Sequence, residues 1–271
     1  MEQELLRSLQ LLELEIVKEI DCICKKNNIP WMLGCGSVLG AIRHGGFIPW
    51  DDDIDIYMFE EDYVRFEQAC MSDLDHEKYF LQTIDTDKEY PASWAKIRMN
   101  NTCSMEEAFK HKKMHWGVCV DIFRLQYAPK DDKQVNKLRK LKYLYLHTCF
   151  NSFTTFSSQE TIKKKVLFCL LKVLRLRPIR KMLEKNIASY SKKTDYKRVI
   201  DDGGMDVFPA ELFEERVMLP FEDTEFPCPS KTEQYLDLLY GNWRELPPEN
   251  KRYGHKDIIV DLEKSYTHYQ K

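Results

Sequence analysis

Apolar residues at Leu5, Leu6, Leu9, Leu12, Ile16, Ile20 and Ile23 recur three and four positions apart, so residues 3–28 predict one long amphipathic helix. Asn27, Asn28 and Pro30 end it. A short strand over 31–33 follows. Residues 53–58 then alternate polar and apolar in the manner of a half-buried strand. Residues 61–70 predict a helix with Tyr63, Phe66 and Ala69 inward, and 78–83 and 94–99 predict strands. Residues 117–123, GVCVDIF, are apolar enough for a buried strand. The second half is helical: one helix over 131–150, and two over 161–191 broken near Pro178. A β-hairpin is expected at 217–221 and 225–228, then a helix over 231–240 stopped by Gly241. The tail beyond Asp257 is charged and predicts no element. The pattern is that of an α+β chain: a mixed core over 1–128, a partly basic helical region over 129–200, and a C-terminal hairpin and helix over 201–271 that pack back on the core.

The stretch 33–58, LGCGSVLGAIRHGGFIPWDDDIDIYM, holds five of the ten glycines and the carboxylates Asp51, Asp52, Asp53 and Asp55. Glycines let backbone approach a ligand closely. On a strand, Asp53 and Asp55 share a face while Ile54 and Ile56 point into a core. Like charges so placed repel unless a cation sits between them, and oxygen-only ligands suit Mg²⁺ or Mn²⁺. A solvated acidic turn is the plain alternative. An EF-hand fails at loop position 6, where Ile56 replaces the required glycine. The Asp-x-Asp site of nucleotide-sugar glycosyltransferases needs a nucleotide-binding βαβ layer ahead of it, and too little chain precedes Asp53. A nucleotidyltransferase-type site fits best, with Gly36 and Ser37 opening a short helix and Asp53 and Asp55 following on a strand.

Asp121 interrupts the apolar strand 117–123. A buried carboxylate is costly unless paired or metal-bound, which makes Asp121 the third candidate ligand beside Asp53 and Asp55. Lys96 and Arg98 share a strand face and are suited to clamp phosphate oxygens, or to form an ordinary solvated face.

A net charge of −3 provides no field to attract nucleic acid. Nine cysteines without a CxxC pair argue against a disulfide framework or a zinc ribbon. No apolar run reaches the length of a membrane span and no signal peptide is evident, so a cytoplasmic location is expected. The basic, amphipathic segment 163–185 suits either the inner face of an anionic membrane or a solvated cationic rim on a core helix.

The stretch LGCGSVLGAIRHGGFIPWDDDIDI resembles the signature of the LicD family, whose relatives include fukutin and fukutin-related protein. The resemblance continues through AKIRMNNT (95–102), VDIF (120–123), the hairpin at 221–227 and YLDLLYGNW…LPP…RYGH (235–255). It implies a nucleotidyltransferase-like fold of the polymerase-beta type. It also implies transfer of phosphocholine, or a similar phospho-alcohol, from a CDP-linked donor to a glycan or teichoic acid precursor. Arg43, His44 and His255 match family positions without a role that their chemistry alone suggests. Where the family usually has Pro-Leu-Asp after Asp-Ile-Phe, this chain has Arg124-Leu125-Gln126.

Overall fold

The N-terminal helix α1 (Gln3–Asn27) buries Leu9, Leu14, Ile16, Val17, Ile20 and Ile23 together with two polar residues, Gln10 and Glu13. It ends at Asn28, which takes the left-handed conformation and donates to Cys24 and Lys25 carbonyls. This computed structural model describes residues 2–150, 177–191, 197–203, 205–255 and 257–270.

After α1 come β1 (Met32–Leu33), α2 (Cys35–His44), β2 (Asp55–Phe59), α3 (Glu60–Asp73), β3 (Tyr79–Gln82), β4 (Ala95–Met99) and β5 (Cys103–Glu106). Then follow β6 (Cys119–Ala128), α4 (Asp132–Phe150), α5 (Arg177–Ser191), β7 (Arg198–Asp201) and β8 (Val207–Pro209). The chain closes with β9 (Arg216–Phe221), β10 (Thr224–Pro229), α6 (Thr232–Tyr240) and β11 (Ile258–Asp261).

The main sheet is mixed and seven-stranded, with the order β1-β2-β6-β4-β3 and β7 and β8 branching from β6. Strand β6 is its axis. It pairs in parallel with β2 and antiparallel with β4 along its first half, and antiparallel with β7 along its second. The buried side chains Ile54, Ile56, Ile97, Val120, Ile122 and Phe66 form one core with those of α1. A smaller core joins α4 and α5 to the far end of β6 through Val135, Leu138, Leu183 and Ile187.

The expected helix and strand pattern holds across most of the described residues, with differences at β5, β7 and β8, which the pattern did not predict, at the end of β6, and in the tail. Strand β6 runs beyond Phe123 to Ala128, because β7 offers Leu125–Ala128 a partner strand that no local pattern announces. A helix begins near Pro178 as expected, the proline lying in the first turn of α5, where a helix's first amides need no acceptor. The helix expected upstream of Pro178 lies outside the described residues. The tail beyond Asp257 is not featureless: β11 pairs antiparallel with β5, Ile258 opposite Glu106 through Asp261 opposite Cys103. No helix among the described residues is long and apolar enough to cross a membrane.

Candidate active site

The start of α2 is tied to the first residue of β2 on both sides. The Gly34 amide donates to the Asp55 carbonyl (2.8 Å), and the Asp55 amide donates to Ser37 Oγ (2.9 Å). Gly34 must be glycine, because a Cβ there would meet the Tyr57 ring at 2.9 Å. Of the amides that open α2, Cys35 donates to the Tyr235 hydroxyl (3.0 Å) and Val38 to the Gly34 carbonyl (3.2 Å). Those of Gly36 and Ser37 have no acceptor among the described residues, as the geometry of a helix N-terminus dictates. The Ser37 hydroxyl oxygen accepts from the Asp55 amide, which leaves the Ser37 backbone amide at the open helix end. A Cβ on Gly36 would stand 3.0 Å from Asp51 Oδ2, so the acidic run lies directly against this helix end.

Strand β2 begins at Asp55, with Asp53 in the segment leading into it. The parallel register sets Asp55 opposite Asp121 on β6. Asp55 and Asp121 are thereby neighbours across the two strands, and Asp53 is near enough to act on Asp55 electrostatically, while the carboxylates with oxygens within 4.8 Å of one another are Asp51, Asp52 and Asp53. Burial first, then Asp53 and Asp121, push the Asp55 carboxyl well above its ordinary range. Burial also raises Asp53, with Asp121 and Asp52 adding to it against the opposing pull of His255. Asp51 is pushed up to about 8 by burial and by Asp53 and Asp52. Like charge is concentrated here beyond what the described cations neutralise.

Lys96 and Arg98 alternate on β4 as expected, and they have different partners. Lys96 Nζ lies 2.5 Å from Asp121 Oδ1, the same oxygen that accepts from Trp94 Nε1 at 3.0 Å. Burial works to deprotonate Lys96, and Asp121 together with Cys119 outweighs it, leaving the lysine's pKa raised. Arg98, 3% exposed, donates to Gln82 Oε1 and to the Gly117 carbonyl, both at 2.7 Å. It lines the same cleft of about 120 Å³ as Asp53, Lys96, Asp121 and His255. Arg43 and His44 are not among the residues lining that cleft. Arg43 donates to the Trp243 carbonyl (2.8 Å) and to His44 Nε2 (3.0 Å), bracing the far end of α2 against the segment after α6.

His255 acquires a role from the structure. Its amide and Nδ1 both bond the Asp52 carboxylate, and Gly254 permits the approach, since a Cβ there would stand 2.4 Å from Asp52 Oδ1. Burial would raise Asp52, and the hydrogen bonds from His255 more than offset it, leaving its pKa lowered. Asp52 in turn lifts His255 to about 9.

Two residues were missed by sequence reasoning. Glu222, at the β9–β10 turn, accepts from the Phe47 amide (3.1 Å) and pairs with Arg7, clasping the Gly45–Gly46 loop. Nothing local in the hairpin sequence announced this. Glu13 of α1 is 3% exposed and lines the cleft beside Asp52 and Asp53. Its signal was available: it falls between Leu9 and Ile16 on the apolar face, where an acid has no place unless it has a partner.

The donor set fits a hard divalent ion. Asp51, Asp52 and Asp53 each place an oxygen within 4.8 Å of the others, and Glu13 Oε2 beside them is buried with no hydrogen-bond partner. All the donors are carboxylate oxygens, the chemistry that Mg²⁺ and Mn²⁺ prefer.

Residues 28–180 match the family described as LicD/FKTN/FKRP, nucleotidyltransferase domain. Over 264 residues the chain is 30% identical to the lipopolysaccharide cholinephosphotransferase LicD of Haemophilus influenzae, spanning 92% of this chain and 95% of that protein. A stretch of 38 residues is 53% identical to the ribitol 5-phosphate transferase FKRP of Homo sapiens, which is 14% of this chain and 8% of that protein. The mouse FKRP matches to the same extent.

Proposed function

This chain belongs to the LicD family, and from that premise we propose that it transfers a phospho-alcohol, phosphocholine or a close relative, from a CDP-linked donor to a glycan hydroxyl. CMP is the other product. The observation that carries the reading is Asp55 standing opposite Asp121, with Asp53 beside them and the open amides of Gly36 and Ser37 at the adjoining helix end. Carboxylates cannot by themselves hold a pyrophosphate. A divalent ion among them, Mg²⁺ or Mn²⁺, supplies charge neutralisation of the pyrophosphate and of the leaving oxygen.

The chain's own groups account for the rest. Asp53 and Asp55 are the ligands for that ion, and Asp121 completes the oxygen set or takes the proton of the acceptor hydroxyl. The hydroxyl oxygen bonds to the phosphorus bearing the alcohol as the phosphorus–oxygen bond to CMP breaks. Amides at the start of α2 face the phosphates, as helix N-termini do for anions. Lys96 and Arg98 present cations to the same cleft. The acceptor is a glycan, by likeness to the lipopolysaccharide-modifying relative. A polymerase-beta type of nucleotidyltransferase fold is the architecture that accompanies this reading.

The basic segment 163–185 lies mostly outside the described residues. Its described end lies in α5, where Leu183 is buried in the small core shared with α4 and β6.

The test is a screen of CDP-choline, CDP-glycerol, CDP-ribitol and CTP with a glycan acceptor and Mg²⁺, followed by phosphorus NMR. CMP release from a CDP-alcohol is expected. Turnover of CTP with pyrophosphate release, and none of any CDP-alcohol, would make the chain a nucleotidyltransferase in reaction as well as in family.

A further inference from the structure

Two arginines without a carboxylate partner stand near Trp50. The Arg252 guanidinium lies over the Trp50 ring, 5.3 Å from its centroid, and the His44 ring stands nearly perpendicular to the same indole with centroids 6.2 Å apart. Arg43 stands behind His44, donating to its Nε2 at 3.0 Å and to the Trp243 carbonyl at 2.8 Å. Arg252 spends its Nε on the Pro247 carbonyl (2.8 Å), and its two terminal nitrogens have no acceptor among the described residues. Neither arginine forms an ion pair with any described residue. Burial and then Arg252 lower the Arg43 pKa, as expected of two guanidiniums that lack a counterion. A guanidinium stacked on a ring is held in place and keeps its outer N–H groups for an acid oxygen.

Trp50 and Arg252 line a groove of about 680 Å³ together with Tyr253, Leu5, Ile258 and Ile259. It adjoins the acidic cleft, the two sharing Asp52, His255 and Ile258. Of the groove's two acids, Asp52 is taken up by His255, and Asp257 is exposed and forms no ion pair with Arg252. Ring faces, apolar walls and a few directed polar groups suit a ligand that is itself amphipathic, as a sugar is.

Distance and charge separate an anion held here from the donor. Helix α2 rises about 1.5 Å per residue, which sets Arg43 roughly 10 Å along it from the amides of Gly36 and Ser37 that face the donor phosphates. The rest of a CDP-alcohol is a neutral nucleoside and an alcohol that is neutral or, in choline, cationic. Neither calls for two arginines. We propose that the groove holds the acceptor, that this acceptor is an acidic glycan, and that Arg252, with Arg43 behind it, recognises a phosphate or carboxylate group on it. Naming the occupant as acceptor rests on the transfer reaction proposed above, whereas the anion subsite stands on the arginines themselves.

Titrations of the full-length protein in EDTA, followed by NMR with glucose, glucose 6-phosphate and glucuronate as probes, read the groove alone, because without a divalent ion the acidic cleft repels anions. At least one acidic sugar should bind about tenfold more tightly than glucose, and which one does so names the acid group. Arg252→Gln should remove the preference. Arg252→Lys should restore part of it, since the charge remains while the planar fork is lost. Arg43→Gln, which leaves Arg252 stacked on Trp50, should weaken the same probe. Affinity for CDP-choline with Mg²⁺ should be unchanged in Arg252→Gln.

Equal binding of the three sugars by wild type, or acidic-sugar binding that survives both glutamine substitutions, would overturn the subsite and leave the proposed function standing. A loss of CDP-choline affinity in Arg252→Gln that matches the loss of acidic-sugar affinity would give the arginines to the donor and overturn the acceptor assignment. Failure of every CDP-alcohol to turn over would remove the transfer reaction and the acceptor assignment with it, while the sugar titrations in EDTA still decide the anion subsite.

Discussion

His255 grips Asp52 from 203 residues away: its amide reaches both carboxylate oxygens at 3.0 and 3.1 Å, and its Nδ1 reaches one of them at 3.0 Å. The C-terminal segment is thereby fastened to the acidic run, and the cleft acquires a wall. Since Asp52 raises His255 from 6.5 to about 9, the folded state binds this proton more tightly than the unfolded one. The stability contributed is whole below about pH 6.5 and is lost as pH rises through about 9. Wild type measured in EDTA should therefore melt above His255→Gln at pH 6, and the gap should close by pH 10. A gap that is constant or widens with pH would contradict the pairing.

Asp53→Asn and Asp55→Asn should each abolish turnover by roughly a thousandfold, equivalent to about 4 kcal/mol of transition-state stabilisation. Neither should unfold the protein, because each removes a charge from a crowded anionic cluster. Thermal melting in EDTA alongside single-turnover kinetics separates the two effects. Activity within a few-fold of wild type would place the chemistry elsewhere.

Lys96 and Arg98, neighbours on one strand face, should respond differently to truncation. Arg98→Ala strands Gln82 Oε1 and the Gly117 carbonyl inside the protein and should cost about 2–4 kcal/mol in urea unfolding. Lys96→Ala releases Asp121 from its ion pair and should chiefly weaken the donor. Calorimetry with CDP-choline and Mg²⁺ should show a larger loss of affinity for Lys96→Ala, at a smaller loss of stability, than for Arg98→Ala. Equal effects of the two would mean that they form one clamp.

Gly40 faces the loop that closes α2, and a Cβ on it would stand 2.4 Å from the Gly46 carbonyl oxygen. Backbone on one side and helix on the other leave little room to yield. Gly40→Ala should destabilise by about 1–3 kcal/mol and loosen the clasp of Glu222 on Phe47. Proteolysis at the 45–47 loop, slow in wild type, should accelerate in the variant. An unchanged melting temperature would show that the loop can shift.

The local sequence determined much of this protein. Period-3.6 and period-2 patterns depend on neighbours along the chain, so α1, α2, β2, β4, the β9–β10 hairpin and the Gly241 stop could be read directly. The glycine and aspartate residues of 33–58 also advertised their chemistry locally, through residue type and spacing. Even Asp121 was marked by standing alone in an apolar strand.

Tertiary structure decided what each of these groups faces. The parallel pairing of β2 with β6 put Asp55 opposite Asp121, a register that neither strand specifies by itself. The docking of α1 turned Glu13, a misfit in an apolar stripe, into a wall of the acidic cleft. The same strand alternation that aligned Lys96 with Arg98 could not say that Asp121 would hold one while Gln82 and Gly117 held the other. β11 was invisible because its charged surroundings hide a strand that only β5 reveals. Periodicity reports that a side chain turns inward, whereas burial energy and hydrogen bonding depend on the partner found there, and chain topology supplies the partner.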